Sequence, residues 1–173
     1  DPEELGGPLG GKGDPFKLPI RLVDCFVVVG PGELAASDYG EDGLVDAPPE
    51  AIRFVPTVKD CYPAEADEPE RAPPEHLAQF VSPGACTLQL REKPPTAFSF
   101  VLTGVTSVKQ NGVALVVWEE REVQTLERYF EKVPKRKRPR WLNASRSGNN
   151  VHIVFMPKVL VLLSHYPFYS VFQ

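Results

Sequence analysis

The chain has 173 residues, 42% of them apolar and 24% charged, with a formal net charge of −4 and an isoelectric point near 5.4. This size and composition predict one globular domain with a hydrophobic core, and the acidic balance argues against a general nucleic-acid binder. No run reaches the ~18 uninterrupted apolar residues of a membrane-spanning helix.

The first 17 residues differ in composition from the rest. They contain five glycines and three prolines, a composition typical of a flexible linker. We therefore expect a flexible N-terminal arm over residues 1–17 and a folded domain over residues 18–173. Three cysteines cannot all pair, and no signal peptide is visible, which indicates a reducing, cytoplasmic setting.

Apolar runs bounded by Pro and Gly predict about five strands. The first, at residues 22–29, and the last, at 159–163, are apolar at nearly every position, which indicates central strands covered on both faces. The segment 52–55 is compatible with a short strand or a helical turn. The remaining strands are expected around Leu88 and Leu90, over 97–103, over 113–118 and over 151–155, with a bulge or bend at Met156-Pro157 before the terminal strand.

One turn and two helices complete the expected order. Asn111-Gly112 is a hairpin turn signal. Apolar residues at spacings of three and four predict an amphipathic helix over residues 119–133, which Pro134 ends. A second helix is expected to begin after Ser164, which stands at an N-cap position. This pattern is typical of an α+β fold, with helices packed on an antiparallel sheet.

Motifs for chemistry are missing from the sequence. It has no phosphate-binding loop, no nucleophile elbow, and no histidines or cysteines at metal-ligand spacing. We therefore expect no catalytic residue, no cofactor and no metal. The one unusual charge feature is a basic run without acids, for which a solvated loop is the alternative to an anionic membrane or partner surface. Its candidate contact residues are Lys135, Arg136, Lys137, Arg138 and Arg140.

Four blocks in order resemble the upstream DENN (uDENN) region of DENN-domain proteins. Each block is short, and together they cover residues 18–173. The blocks are Arg21 to Gly30 (RLVDCFVVVG), Tyr62-Pro63 with Pro73 to Gly84 (PPEHLAQFVSPG), Pro95 to Thr103 (PTAFSFVLT), and Lys158 to Phe172 (KVLVLLSHYPFYSVF).

The resemblance implies a longin-like lobe, an antiparallel sheet with helices packed on it. In DENN proteins, this lobe and a second α/β lobe together bind a Rab-type small GTPase and promote GDP release, through binding and without covalent chemistry. The implied partners are therefore a Rab-type GTPase and the remaining DENN lobe. We expect the chain to be the front part of a longer protein. The alternative is a non-catalytic longin-like scaffold module in membrane trafficking.

Overall fold

The computed structural model describes residues 22–35, 43–64, 71–103, 109–142 and 152–167. The arm predicted over residues 1–17 lies outside them. The described residues form one antiparallel sheet in the order β3-β2-β1-β6-β5-β4. Its strands are β1 (Cys25–Leu34), β2 (Arg53–Tyr62), β3 (Cys86–Thr87), β4 (Thr96–Thr103), β5 (Lys109–Glu122) and β6 (Ile153–Ser164). The predicted antiparallel sheet is confirmed, with six strands in place of five.

β6 lies at the centre of the sheet, between β1 and β5. Cys25 to Val29 of β1 pair with Leu163 to Val159, and Asn111 to Glu122 of β5 pair with the whole of β6. Alternate β6 residues Val159, Val161 and Leu163 are fully buried, together with Cys25, Val27 and Val29 of β1. These β-branched and apolar runs therefore form the middle of the sheet, as their composition predicts.

The bulge predicted at Met156-Pro157 is wrong, because β6 continues through Pro157 without a change of register. Phe155 donates its N–H to Gln89 on the side away from β5, so the nitrogen of Pro157, two residues further on, lies on that same side. β1 pairs with β6 from Val159 to Leu163. Proline has no N–H to donate, but Pro157 lies outside this paired segment, so it interrupts no hydrogen bond between β6 and β1.

The turn predicted at Asn111-Gly112 is also wrong. Both residues lie inside β5, and Gly112 faces Phe100 of β4 in the register. A Cβ atom at Gly112 would overlap the Phe100 ring. Glycine therefore serves here to let an aromatic ring lie across the neighbouring strand, and not to reverse the chain.

Helical structure is sparse among the described residues. One short α-helix, α1 (Leu77–Val81), packs on the sheet, and 3-10 segments cover Pro49–Ala51, Val123–Phe130, Lys135–Lys137 and residues 140–142. The long α-helix expected over residues 119–133 is wrong, because its first four residues extend β5 and Val123–Phe130 form a 3-10 helix that ends in a turn. The predicted apolar face is nevertheless buried, at Val123, Leu126 and Phe130.

Two hydrophobic cores lie against the sheet. The first core joins Val154 and Met156 of β6 to the 3-10 segment Val123–Phe130 and to Trp141. The second core joins Val159, Val161 and Leu163 to α1. Because β6 keeps one register, its even-numbered and odd-numbered residues point to opposite faces. The 3-10 segment and α1 therefore cover opposite faces of the sheet.

The sheet curls at the end that carries β3. Gln89, two residues after β3, exchanges two backbone hydrogen bonds with Phe155 of β6, at 2.8 and 2.9 Å. The chain between β2 and β4 thus returns to the middle of the sheet. This closure leaves β4 as the long strand at the other end of the sheet.

Candidate interaction surfaces

One half of a sheet face presents apolar side chains to solvent. We call Phe26, Val28, Leu115, Leu160 and Leu162 the open face. The register places Phe26 beside Leu162, and Val28 and Leu115 beside Leu160, so all five project from the same side. Leu115 is 37% exposed and the other four are partly buried.

The open face and the first core share one side of the sheet. Leu160 and Leu162 have the same parity along β6 as Val154 and Met156, which the 3-10 segment covers. The covered half and the open half therefore lie on the same side of the sheet. The sequence predicted β1 and β6 to be buried on both faces, and the structure buries fully only the α1 face of their paired segment. Exposed apolar surface of this kind marks interaction sites.

A charged network separates the two halves. Glu119 accepts hydrogen bonds from Lys158 and, at 2.5 Å, from Arg121. Partial burial acts to raise the pKa of Glu119, but the Lys158 hydrogen bond and charge, with those of Arg121, outweigh it and lower the pKa below its ordinary value. Glu119 is therefore ionised at neutral pH, and the pairs keep charged groups satisfied beside an apolar surface.

Polar groups surround the opposite end of the open face, where β6 ends. His165 Nδ1 lies 2.6 Å from Asp24 Oδ2. Ser164 Oγ donates to the Leu22 carbonyl and accepts from the Tyr166 N–H, at 2.6 and 3.0 Å. The bond from Tyr166 is the type that an N-cap side chain accepts. The helix predicted after Ser164 falls mostly on residues 168–173, outside the described residues.

The predicted basic run folds into a compact turn that contains the 3-10 segment Lys135–Lys137. Two of its arginines contact neighbouring segments. Arg138 donates to the carbonyls of Val133 and Glu131, and Arg140 lies 3.1 Å from Asp46. The Lys137 backbone carbonyl accepts from Leu44. Lys135 and Arg136 are exposed. The run is therefore partly architectural, and two cations project from it.

Trp141, which follows the basic run, belongs to the core. Its indole N–H donates to the Ala47 carbonyl at 2.8 Å, and its ring packs edge-on against Phe130. The side chain therefore packs inside the protein and does not project from the surface beside the basic run.

Two clefts flank the ring of Tyr129. One, of about 530 Å³, lies between the end of β1 and the turn at residues 132–137. The other, of about 570 Å³, is lined by Lys59, Arg121 and Lys158 among others. Arg128 lines both clefts and lies over the Tyr129 ring, 4.9 Å from its centroid. Basic and acidic groups alternate around both clefts, so neither has the uniform charge of a phosphate site.

The three cysteines are free thiols. Burial raises the pKa of Cys25 to about 12, and the neighbouring Cys61 and Asp24 add to the effect. Burial likewise raises the pKa of Cys86. Cys25 and Cys86 are therefore not nucleophiles at neutral pH. Within the part of the chain that the structure describes, no three potential ligand side chains converge on a metal position.

Residues 56–117, from β2 into β5, match the family model of the uDENN domain. The chain contains a uDENN domain. The match spans the second and third of the four blocks recognised in the sequence. The uDENN domain is itself non-catalytic. Comparisons with curated proteins and with solved structures gave no match.

Among the described residues, no helix has the length and apolar character needed to cross a bilayer. Sequence reasoning found most of the strands and the basic run, left the segment 52–55 of β2 undecided, and missed the open face. The sequence does contain a pattern that includes the open face: Leu160 and Leu162 alternate with Val159 and Val161, and all four are apolar. Because both faces of the strand are apolar, the alternation does not show which face is covered.

Proposed function

We propose that this chain is the N-terminal, longin-like lobe of a DENN-family guanine nucleotide exchange factor for a Rab-type small GTPase. The observation that carries the proposal is the uDENN match over residues 56–117. Such a protein acts by binding: it stabilises the nucleotide-free GTPase and so accelerates GDP release.

The open face supports this proposal. Leu115, Leu160 and Leu162 present apolar surface on the same side of the sheet as the first core, beyond the Glu119 network, where a second body can pack. Covering apolar surface contributes about 25 cal/mol per Å². We propose that the remaining DENN lobe, or the GTPase held between the two lobes, covers this face. A scaffold module would use the same face to hold a partner without exchange.

The test is nucleotide release. The full-length protein is mixed with a panel of Rab-type GTPases loaded with fluorescent GDP, and we expect faster release from at least one of them. Leu115→Asp places a charge on the open face and should reduce that rate at least tenfold. Leu90→Asp is the control, because Leu90 is also exposed (44%) but lies in the loop between β3 and β4.

Two results would count against the proposal. Absence of release across the whole panel would exclude exchange and favour the scaffold alternative. Equal rates for the Leu115→Asp and Leu90→Asp variants would remove the open face from the argument.

A further inference from the structure

β4 is the edge strand at one end of the sheet. Its eight residues, Thr96–Thr103, pair with β5 on one side, and it stands last in the strand order. The opposite end of the sheet is different, because β3 has two residues and Gln89 closes that end onto β6. Among the described residues, β4 is thus the long strand with one row of backbone groups left for another chain.

The composition of β4 lacks the usual protection of edge strands. Edge strands in soluble proteins normally carry charges, a proline or a bulge that prevent pairing with other chains. β4 reads TAFSFVLT, without a charge or a proline, and its register with β5 is unbroken. Six of its eight residues are exposed.

An aromatic cluster lies beside this edge. The Phe100 ring centroid is 5.2 Å from that of Phe80 in α1 and 6.0 Å from that of Phe98. Phe80 and Phe98 are 48% and 38% exposed. Exposed aromatic side chains next to an open edge are typical of protein contact surfaces.

We propose that β4 pairs antiparallel with β4 of a second copy of this chain, so that the two sheets become continuous. The two-fold axis is perpendicular to the sheet and passes between Ser99 of one copy and Ser99 of the other. It keeps the α1 faces of both copies on the same side. In that register Phe98 lies opposite Phe100 of the second copy, and Ala97 lies opposite Val101. The two aromatic clusters then merge across the axis, where aromatic cross-strand pairs are favourable.

A second copy fits this edge for two reasons. A strand without charges meets no like charge when it faces itself, whereas a charged edge would repel its own copy across the axis. Phe98 and Phe100 are two residues apart on the same face, so a two-fold at Ser99 pairs each with the other and leaves neither ring unmatched. The strand contact is smaller than a standard interface of ~1,600 Å², so we expect a weak, concentration-dependent dimer.

The test measures the mass of the full-length protein by sedimentation over a roughly hundredfold concentration range. We expect the average mass to rise from that of a monomer towards that of a dimer. Ser99→Lys places two like charges opposite each other at the axis and should weaken dimerisation at least tenfold. Gln124→Lys, at an exposed position in the 3-10 segment, is the control with the same change of charge.

A second measurement gives the register and does not depend on the charged variant. Opposed residues in an antiparallel pair have Cα atoms ~4.5–5.5 Å apart, which suits a disulfide. With a mild oxidant, Ser99→Cys should therefore cross-link two copies. Thr103→Cys should not, because its two positions would lie ~25 Å apart.

Three results would overturn the proposal: a monomeric mass at every concentration, dimerisation that Ser99→Lys leaves unchanged, or stronger cross-linking at position 103 than at position 99. If the protein is a monomer and Ser99→Lys abolishes binding of another protein, the β4 edge binds that partner and not a second copy. Neither measurement uses nucleotide release, so failure here is distinguishable from failure of the proposed exchange activity.

Discussion

At the scale of single residues, the ionisation of the Cys25 thiol makes the stability of the fold depend on pH. Cys25 is 1% exposed, and its pKa is raised from 9.0 to about 12, first by burial and then by the neighbouring Cys61 and Asp24. Between these two pH values the unfolded chain releases the proton and the folded chain keeps it. Stability should therefore fall as pH rises from 9 towards 12, by on the order of 1 kcal/mol per pH unit.

Urea unfolding between pH 8 and 11 checks this expectation. Cys25→Ala should lose packing energy at every pH but show a flatter loss of stability above pH 9. Val27→Ala, a neighbouring buried position in β1, loses packing and keeps the thiol, so its pH dependence should match the unmodified chain. Parallel curves for the Cys25→Ala and Val27→Ala variants would contradict the assignment.

Gly112 shows at the same scale why a residue pattern can mislead. Asn-Gly is a strong turn signal because both residues tolerate positive φ. Gly112 instead lies in β5, where the Phe100 ring occupies the space of its missing side chain. Phe100 and Gly112 are 12 residues apart, and the local sequence around Gly112 does not indicate this contact. A glycine that packs against a ring therefore cannot be distinguished by sequence from a glycine in a turn.

At the scale of elements, truncating a leucine should lower the free energy of unfolding more in the first core than on the open face, although both lie on the same side of the sheet. Leu126 is buried in the first core, whereas Leu115 on the open face is 37% exposed. Leu126→Ala should cost about 2–5 kcal/mol of unfolding free energy because it leaves a cavity. Leu115→Ala should cost about 1 kcal/mol or less, since little of its surface is buried in a closed core.

Chemical denaturation of the chain by itself measures both losses, and Leu90→Ala provides a reference for an exposed leucine in a loop. Similar losses at positions 115 and 126 would show that another segment covers the open face within this chain. A loss at position 115 that appears only in the full-length protein would indicate cover by a following lobe.

The elements also show how much of the fold the sequence can predict. The strands of the sheet and the apolar face of residues 123–133 follow from periodicity, and antiparallel pairing follows from strands that succeed one another along the chain. The extension of β5 through Glu119 to Glu122 does not, because these charged residues have low strand propensity. They are held in the strand by pairing with Ile153 to Met156 of β6, a contact distant in sequence. The basic run was found as a candidate surface, but its arginine contacts depend on tertiary structure.

At the scale of the molecule, charge is distributed unevenly. The chain has a net charge of −4, yet Lys135 and Arg136 project from an acid-free turn. We propose this turn as a contact for an anionic membrane surface, where each basic residue contributes about 1 kcal/mol. The folded turn restricts that contact mainly to these two residues, since Arg138 and Arg140 hold neighbouring segments.

Co-sedimentation with vesicles containing phosphatidylserine tests this contact. Exchanging Lys135 and Arg136 together for Glu should remove most of the bound fraction, and added salt should do the same because the contact is electrostatic. Arg91→Glu with Lys109→Glu makes the same change of net charge at two exposed positions elsewhere and should keep more of the binding. If both pairs reduce binding equally, the chain responds to net charge alone, and the turn is a solvated loop whose arginines serve the fold.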